Sequence, residues 1–151
     1  MLKIQKEKRA AEVIYRDRSR QAGSFFVSLT SSHRHGPESI ADLLNGERTY
    51  LPFEMEDGPV VIVQKNAILM VCLQEREVAE IPQRSDRVLA EVTFLSGHQV
   101  TGIIYNDLPS SYPRLSDCLN GARRFFHLEI ESKDCLINSD SVKHVLSTSE
   151  I

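Results

Sequence analysis

The chain contains nearly the same unusual stretch twice, and this repetition constrains its fold more than any other feature. Residues 42–56 read DLLNGERTYLPFEME and residues 117–131 read DCLNGARRFFHLEIE, so that seven of the fifteen aligned positions are identical without a gap. Unrelated sequences of ordinary composition would share about one position over this length. Upstream, AEVIY (11–15) is matched by AEVTF (90–94). We therefore interpret the chain as a duplicated unit of about 60 residues.

Each unit has the same order of predicted elements. Two strands come first, separated by a polar turn, and a short helix follows after a loop rich in Ser and Pro. In unit one Ser39 is a favourable N-cap, and apolar residues recur behind it at helical spacing. The repeated Asn-Gly pair predicts a left-handed C-terminal cap at Gly46 and Gly121. An alternating strand and a tight closing hairpin, VVIVQKNAILMV (60–71) in unit one, complete the unit.

These elements predict a mainly β fold made of two tandem repeats, each a small bent sheet or Sm-like barrel with one short helix. We place a basic N-terminal arm at residues 1–10, unit one at 11–72, a charged linker at 73–87, unit two at 88–146 and a tail at 147–151. A unit of this size buries too little surface to be very stable alone, so we expect the two to pack together. The pattern allows either two barrels or one composite domain.

Two segments of unit two carry a resemblance to a known fold. VTFLSGHQVTGIIYND (92–107) and CLINSDSVKHV (135–145) resemble the two halves of an Sm-like small β-barrel. The resemblance implies a strand, a Gly turn and a bent strand that are later closed by a hairpin, and RNA binding in many members. The chain differs from Sm proteins in the helix SDCLNG between the second and third strands. It also lacks the basic-Gly dipeptide that many RNA-binding members have in the closing hairpin.

A second resemblance lies in the helix and strand of unit two. This segment is similar to an uncharacterised bacterial family, a domain of unknown function with the signature R-[LV]-S-D-x-L-N followed by RF. The residues that carry the signature here are Arg114, Leu115, Ser116, Asp117, Leu119, Asn120, Arg123, Phe125 and Phe126. Unit one keeps Asp42, Leu44, Asn45, Arg48 and Tyr50. The resemblance implies a bacterial cytosolic protein and no particular activity.

Charge is unevenly distributed along the chain. Residues 1–20 hold seven Lys or Arg against three acidic residues, whereas the other 131 residues hold 11 basic and 18 acidic side chains. A basic arm, including Arg16, Arg18 and Arg20, can hold nucleic acid, an acidic partner or a membrane surface, or can simply be solvated. No apolar run approaches the roughly 18 residues that span a bilayer. Three cysteines without a CxxC pair indicate a reducing compartment, so we expect a cytoplasmic protein without a membrane span.

Few residues suggest chemistry. HRH (33–35) supplies too few ligands for a metal site, and His127 and His144 have no His counterpart in unit one. Glu54 and Glu129 belong to carboxylate pairs on the outward face of a predicted strand, where they keep the surface solvated. The chain has no P-loop, no GxGxxG and no GxSxG. We expect no enzymatic activity, no cofactor and no metal.

The most notable polar set surrounds the two predicted helices. Its members are Asp42, Asn45 and Arg48 in unit one, and Arg114, Asp117, Asn120 and Arg123 in unit two. In the structural interpretation, the Asp caps or pairs with the Arg beyond the helix and fixes the helix to the sheet. In the functional interpretation, the set is a recognition surface displayed twice, which would allow bivalent binding.

Three functions are therefore considered. The leading hypothesis is a non-enzymatic protein-interaction or regulatory module whose partner is another cytosolic protein, with a homo-oligomer also compatible. The alternative is nucleic-acid binding, with the basic arm on phosphates and aromatic rings stacking on bases, although the acidic body disfavours it. The rings considered are Tyr15, Phe25, Phe26, Tyr105 and Phe125. The third is small-ligand or cyclic-dinucleotide sensing through Arg16 and Arg20, whose spacing resembles half of the motif of PilZ-like barrels.

Overall fold

The structure, a computed structural model, describes residues 6–29, 38–77, 86–106, 115–121 and 124–150. The chain divides into two compact units, Met1–Gln74 and Glu75–Ile151. Strands dominate both units, so the prediction of a mainly β fold is confirmed. In the described part of the chain, no helix is long and apolar enough to cross a membrane.

Unit 1 is an open antiparallel sheet of five strands with one short helix. Its elements are β1 (Lys6–Tyr15), β2 (Arg20–Ser28), α1 (Ile40–Asn45), β3 (Tyr50–Met55), β4 (Val60–Gln64) and β5 (Ile68–Leu73). The strand order is β5-β1-β2-β3-β4. A 3-10 turn, Lys65–Ala67, separates β4 from β5. β1 begins inside the segment predicted to be an arm, and Lys6 there pairs with Ser28.

Unit 2 has the same strand order. Its elements are β6 (Asp86–Phe94), β7 (Gln99–Asn106), α2 (Leu115–Gly121), β8 (Phe125–Ile130), β9 (Lys133–Asn138) and β10 (Val142–Glu150). The order β10-β6-β7-β8-β9 follows that of unit 1 position by position. The register agrees too, because Ala11 lies opposite Gly23 in one unit and Ala90 lies opposite Gly102 in the other.

The core of each unit is formed by one face of its sheet, as the period-two patterns require. In unit 1 the rings of Phe25 and Phe53 meet edge to face with centroids 4.8 Å apart. In unit 2 Phe94 and Leu128 are fully buried. The two helices differ, since α1 buries four of its residues and α2 buries none. The apolar spacing that predicts a core-facing helix therefore holds for α1 alone.

The predicted closing hairpin is wrong. β4 and β5 lie at opposite ends of the strand order of unit 1, and β9 and β10 do so in unit 2. Within the described residues no ladder joins β4 to β5, so the sheet of unit 1 does not close into a barrel. The physical reason is the 3-10 turn, which separates the two strands, so that β5 pairs with β1 instead.

The prediction of left-handed glycine caps is also wrong. Gly46 ends α1 with φ −77° and ψ −177°, an extended conformation open to any residue. Gly121 is the last residue of α2, and it is not among the described glycines with positive φ. Positive φ occurs instead at Gly58 and Gly97, which lie in the β3–β4 and β6–β7 turns. Turns of tight hairpins demand this conformation more often than a short helix end does.

Candidate functional site

Asp42 completes the N-terminal cap of α1. The Asp42 amide donates to the Ser39 hydroxyl at 2.9 Å, and the Ser39 amide donates to the Asp42 carboxylate at 3.2 Å. This reciprocal pair is a capping box, and it confirms Ser39 as the N-cap. Both residues are buried, so Asp42 serves the helix start and is not displayed to a partner.

The other members of the predicted polar set are scattered. Asn45 is the half-buried last residue of α1, and Arg48 is exposed after it. In unit 2, Asp117 and Asn120 are exposed on α2. Arg114 and Arg123 lie outside the described residues, as does the HRH segment at 33–35.

The basic residues Arg16, Arg18 and Arg20 lie at and beside the β1–β2 turn, and all three are exposed. Arg20 forms an ion pair with Glu12 at 3.1 Å. Arg16 lines a shallow depression of about 400 Å³ with Tyr15, Asp17, Ser19 and Ala67.

The phenol of Tyr15 donates to the Gln21 amide oxygen at 2.5 Å within the same unit. Partial burial, and to a lesser extent the Asp17 carboxylate, raises the pKa of Tyr15. Tyr15 is therefore held neutral beside the depression.

A polar network lies on the face of β7, β8 and β9 opposite Leu128, and sequence reasoning missed it. The His127 imidazole contacts the Asp134 carboxylate at 2.8 Å, and Arg76 reaches the same carboxylate at 3.3 Å. Arg76 also bonds Glu129, whose second oxygen accepts from the Tyr105 hydroxyl at 3.0 Å. We call these five residues the polar network.

The strand register explains why the polar network forms. Glu129 of β8 lies opposite Asp134 of β9 and opposite Ile103 of β7, so alternate residues of three strands share one face. His127 and Tyr105 belong to that face, and their rings lie 5.9 Å apart. The alternation His127, Glu129 was visible in the sequence, but their partners depend on a register that the sequence does not specify.

Asp134 is the electrostatic centre of the polar network. Burial raises the pKa of its carboxyl, but hydrogen bonds from His127 and Arg76, together with the charges of these two groups, outweigh burial and hold the pKa below its usual range. Asp134 is therefore an ionised, buried carboxylate with two hydrogen-bonding partners. Such an arrangement stabilises a fold locally when every member is satisfied.

The chemistry available to the polar network is limited. A His–Asp pair can orient an imidazole for proton transfer, but a reaction also needs a nucleophile or a substrate position beside it. Cys135, the next residue of β9, is buried on the opposite, core-facing side with Leu128. Within the described ranges no group of three or more metal-ligating side chains comes together.

The free edge of unit 1 is the second feature that sequence reasoning missed. β4 is the last strand in the order of unit 1 and pairs with β3 alone among the described residues. Val60 and Ile62 on its outward face are 51% and 62% exposed. Tyr50 and Pro52, the cross-strand partners of Gln64 and Ile62, extend this apolar surface. We call β4 and these two neighbours the edge surface.

The strand of unit 2 at the corresponding position differs. Residues 134–138 of β9 are all buried, including Leu136, which takes the place of Ile62. At this position in the strand order, exposed apolar side chains occur in unit 1 and not in unit 2, although Leu95 and Leu146 are exposed elsewhere in unit 2. Sequence analysis placed VVIV in a hairpin strand, and the apolar character of this run does not reveal that Val60 and Ile62 face solvent.

Comparisons of the chain with protein-family profiles, with curated proteins and with solved structures found no match. Inferences about function therefore rest on the geometry of the edge surface, the polar network and the basic turn.

Proposed function

We propose that the chain is a non-enzymatic protein-interaction module whose partner, another cytosolic protein, adds a strand to β4. The single observation that carries this proposal is the free edge of β4 with Val60 and Ile62 exposed beside it. An edge strand offers a row of backbone donors and acceptors to an incoming strand. Main-chain hydrogen bonds then supply affinity, and pockets between alternate side chains supply specificity.

The contrast with β10, which ends the strand order of unit 2, supports the proposal. β10 has two register shifts along β6, and Lys143 and His144 near its start are exposed. Bulges and exposed charges are devices that keep an edge from pairing with other chains. β4 has neither an irregular register nor a charged residue between Val60 and Gln64. Its edge is thus open to pairing.

We also propose that the two units arose by duplication of one Sm-like fold and that the chain belongs to the bacterial domain of unknown function that it resembles. The shared strand order supports the duplication. A second support is a glycine at the same register position of each unit, Gly23 opposite Ala11 and Gly102 opposite Ala90. In this proposal unit 1 kept an open edge for a partner, while the surface of unit 2 diverged into the polar network.

Binding of nucleic acid by the basic turn is the second candidate. The exposure of Arg16, Arg18 and Arg20 favours it. Two of the rings considered for base stacking, Phe25 and Phe125, are buried in the cores and are not available to bases. Sensing of a small anionic ligand in the depression beside Arg16 is the third candidate, and Arg20 would have to leave Glu12 to take part.

The proposal is tested by capture from a native-type bacterial lysate, with and without nuclease. The bait is the tagged chain as wild type, as Ile62→Lys, and as Leu95→Lys, a matched control at an exposed apolar residue of the β6–β7 turn. We expect one stoichiometric protein to survive nuclease and to be retained by wild type and Leu95→Lys but lost from Ile62→Lys. Equal capture by all three baits would refute the role of β4.

Salt dependence separates the second candidate from the first. Binding to phosphates weakens steeply between about 50 and 200 mM salt because counterions are released. An interface of backbone hydrogen bonds and apolar side chains changes little over this range. Loss of every partner with nuclease, together with steep salt dependence, would replace the first proposal with nucleic-acid binding.

A further inference from the structure

The two ends of β4 differ in charge. The β3–β4 turn, immediately before Val60, contains Glu56 and Asp57, and both are exposed. At the other end of β4, Gln64 donates to the Tyr50 hydroxyl at 3.2 Å, and the exposed residues that precede Tyr50, Glu47 and Arg48, have opposite charges. A strand laid along β4 would therefore have a net acidic neighbour at the Val60 end only.

The nearby basic residues do not neutralise the acidic end. The Lys8 ammonium lies 3.0 Å from the Glu54 carboxylate, across the sheet on the outward face. Lys65, at the far end of β4, is buried, and its ammonium donates to the Gly46 carbonyl at 2.8 Å. Glu56 and Asp57 thus remain as the acidic group that faces solvent beside the start of β4.

The middle of β4 selects for apolar side chains at alternate positions. Val60 and Ile62 lie two residues apart on the outward face, so they flank the positions that same-face side chains of an added strand would take. Pro52, half-buried opposite Ile62, adds apolar surface on the same outward face. A polar or charged residue placed here would lose hydration without gaining a partner.

The direction of the added strand follows from the sheet. Every ladder among the described residues of unit 1 is antiparallel, and antiparallel pairing is slightly more stable per residue than parallel pairing. The C-terminal end of an antiparallel strand would lie beside Val60 and the acidic turn. Building on the proposed function, we propose that the partner segment is a strand antiparallel to β4, apolar at alternate positions, with Lys or Arg directly after its C-terminal end.

The proposal is tested with three acetylated, amidated peptides. The first is Thr-Val-Thr-Val-Thr-Lys-Lys, the second is its reversed sequence, and the third carries Glu-Glu in place of Lys-Lys. Each is titrated into the full-length isotope-labelled chain, with the amide signals of β4 followed by NMR. We expect the first peptide to bind β4 about 5-fold more tightly than the other two at low salt, and this preference to shrink at about 0.5 M salt.

Charge exchange provides the matched control. Glu56→Lys should remove or reverse the preference for the first peptide, because the acidic neighbour becomes basic. Glu131→Lys makes the same change in the β8–β9 turn of unit 2, where Glu131 is exposed, and should leave the preference unchanged. Equal effects of the two substitutions would mean that net charge, and not the β3–β4 turn, sets the preference, and this would overturn the inference.

The outcomes distinguish this inference from the function on which it rests. If the peptides shift the β4 amides but the reversed peptide binds as well as the first or better, strand addition stands and the stated direction and charge are wrong. If no peptide shifts these amides and the chain is monomeric, both proposals fail. If wild type self-associates in sedimentation experiments, Ile62→Lys is monomeric and no peptide binds, then the occupant of β4 is a second copy of this chain, which also overturns the inference.

Discussion

A methyl group added to either of two glycines should weaken the unit that contains it. A Cβ on Gly23 would lie 2.1 Å from the Glu54 carbonyl oxygen and 2.8 Å from the Phe53 ring. A Cβ on Gly102 would lie 2.5 Å from the Glu129 carbonyl oxygen and 2.8 Å from Leu128. In both units the obstacle is the backbone of the adjacent strand, which a change of rotamer cannot relieve.

The size of the destabilisation depends on how far the added Cβ and the neighbouring backbone must move apart. Contacts of a Cβ below 3.0 Å are essentially never seen, so at Gly23 the contact must lengthen from 2.1 Å and at Gly102 from 2.5 Å. Overpacking of this kind costs about 1–3 kcal/mol, and occasionally more. We expect Gly23→Ala to cost about 3 kcal/mol, because the β2–β3 ladder must open, and Gly102→Ala to cost about 2 kcal/mol.

Gly121→Ala is the control, because a Cβ at this position meets no atom within 4 Å. Gly121 ends α2, where Ala is favoured over Gly by up to about 1 kcal/mol. This substitution should leave the free energy of unfolding unchanged or slightly raise it. Like the other two substitutions, it replaces a glycine with an alanine, but it adds no strain.

The assay is hydrogen exchange by mass spectrometry on the full-length chain, combined with urea unfolding. Hydrogen exchange is needed because the two compact units need not unfold in one step. A single urea midpoint would then combine two unfolding transitions. Gly23→Ala should speed exchange in β2 and β3, and Gly102→Ala in β7 and β8. The reasoning is refuted if Gly23→Ala unfolds at the same urea concentration as Gly121→Ala.

Three further substitutions test contacts of single side chains. Asp134→Asn should flatten the acid dependence of stability. Because the pKa of Asp134 is depressed in the fold, its carboxylate stabilises the fold above pH about 4 and loses this effect as pH falls further, so the urea midpoint of wild type should fall more than that of the variant below about pH 4. Lys65→Met removes the donor to the Gly46 carbonyl and should cost about 1–2 kcal/mol by urea unfolding, whereas Lys143→Met at an exposed site should cost almost nothing. Ser39→Ala breaks the capping box and should cost about 1 kcal/mol, and equal midpoints for Ser39→Ala and wild type would contradict that role.

Features encoded by neighbouring residues were predictable from the sequence. The alternation around Phe53 and Leu128 predicted strands whose inner faces are buried, and both residues are fully buried. The capping role of Ser39 follows from a hydroxyl placed just before apolar residues at helical spacing. These predictions succeed because each depends on a few consecutive positions.

Features that depend on long-range pairing were not predictable. The hairpin predicted for residues 60–71 is wrong. A three-residue 3-10 turn and a tight hairpin turn look alike in sequence, and here the pairing of β5 with β1 distinguishes the two. The polar network was hidden for the same reason. Arg76 and Asp134 are 58 residues apart, and their contact depends on the fold of the whole unit.

The position of Lys65 is relevant to whether the exposed edge of β4 has a function. An exposed edge strand is commonly protected by a lysine, and the one lysine at the end of β4 is instead buried, with its ammonium on the Gly46 carbonyl. Pro59 lies just before the strand, where it removes no donor from Val60–Gln64. Selection against aggregation would favour a charge at Val60 or Ile62, since both are exposed and a charge there costs the core nothing. The presence of two apolar side chains at these positions is explained if a partner strand covers them in the cell.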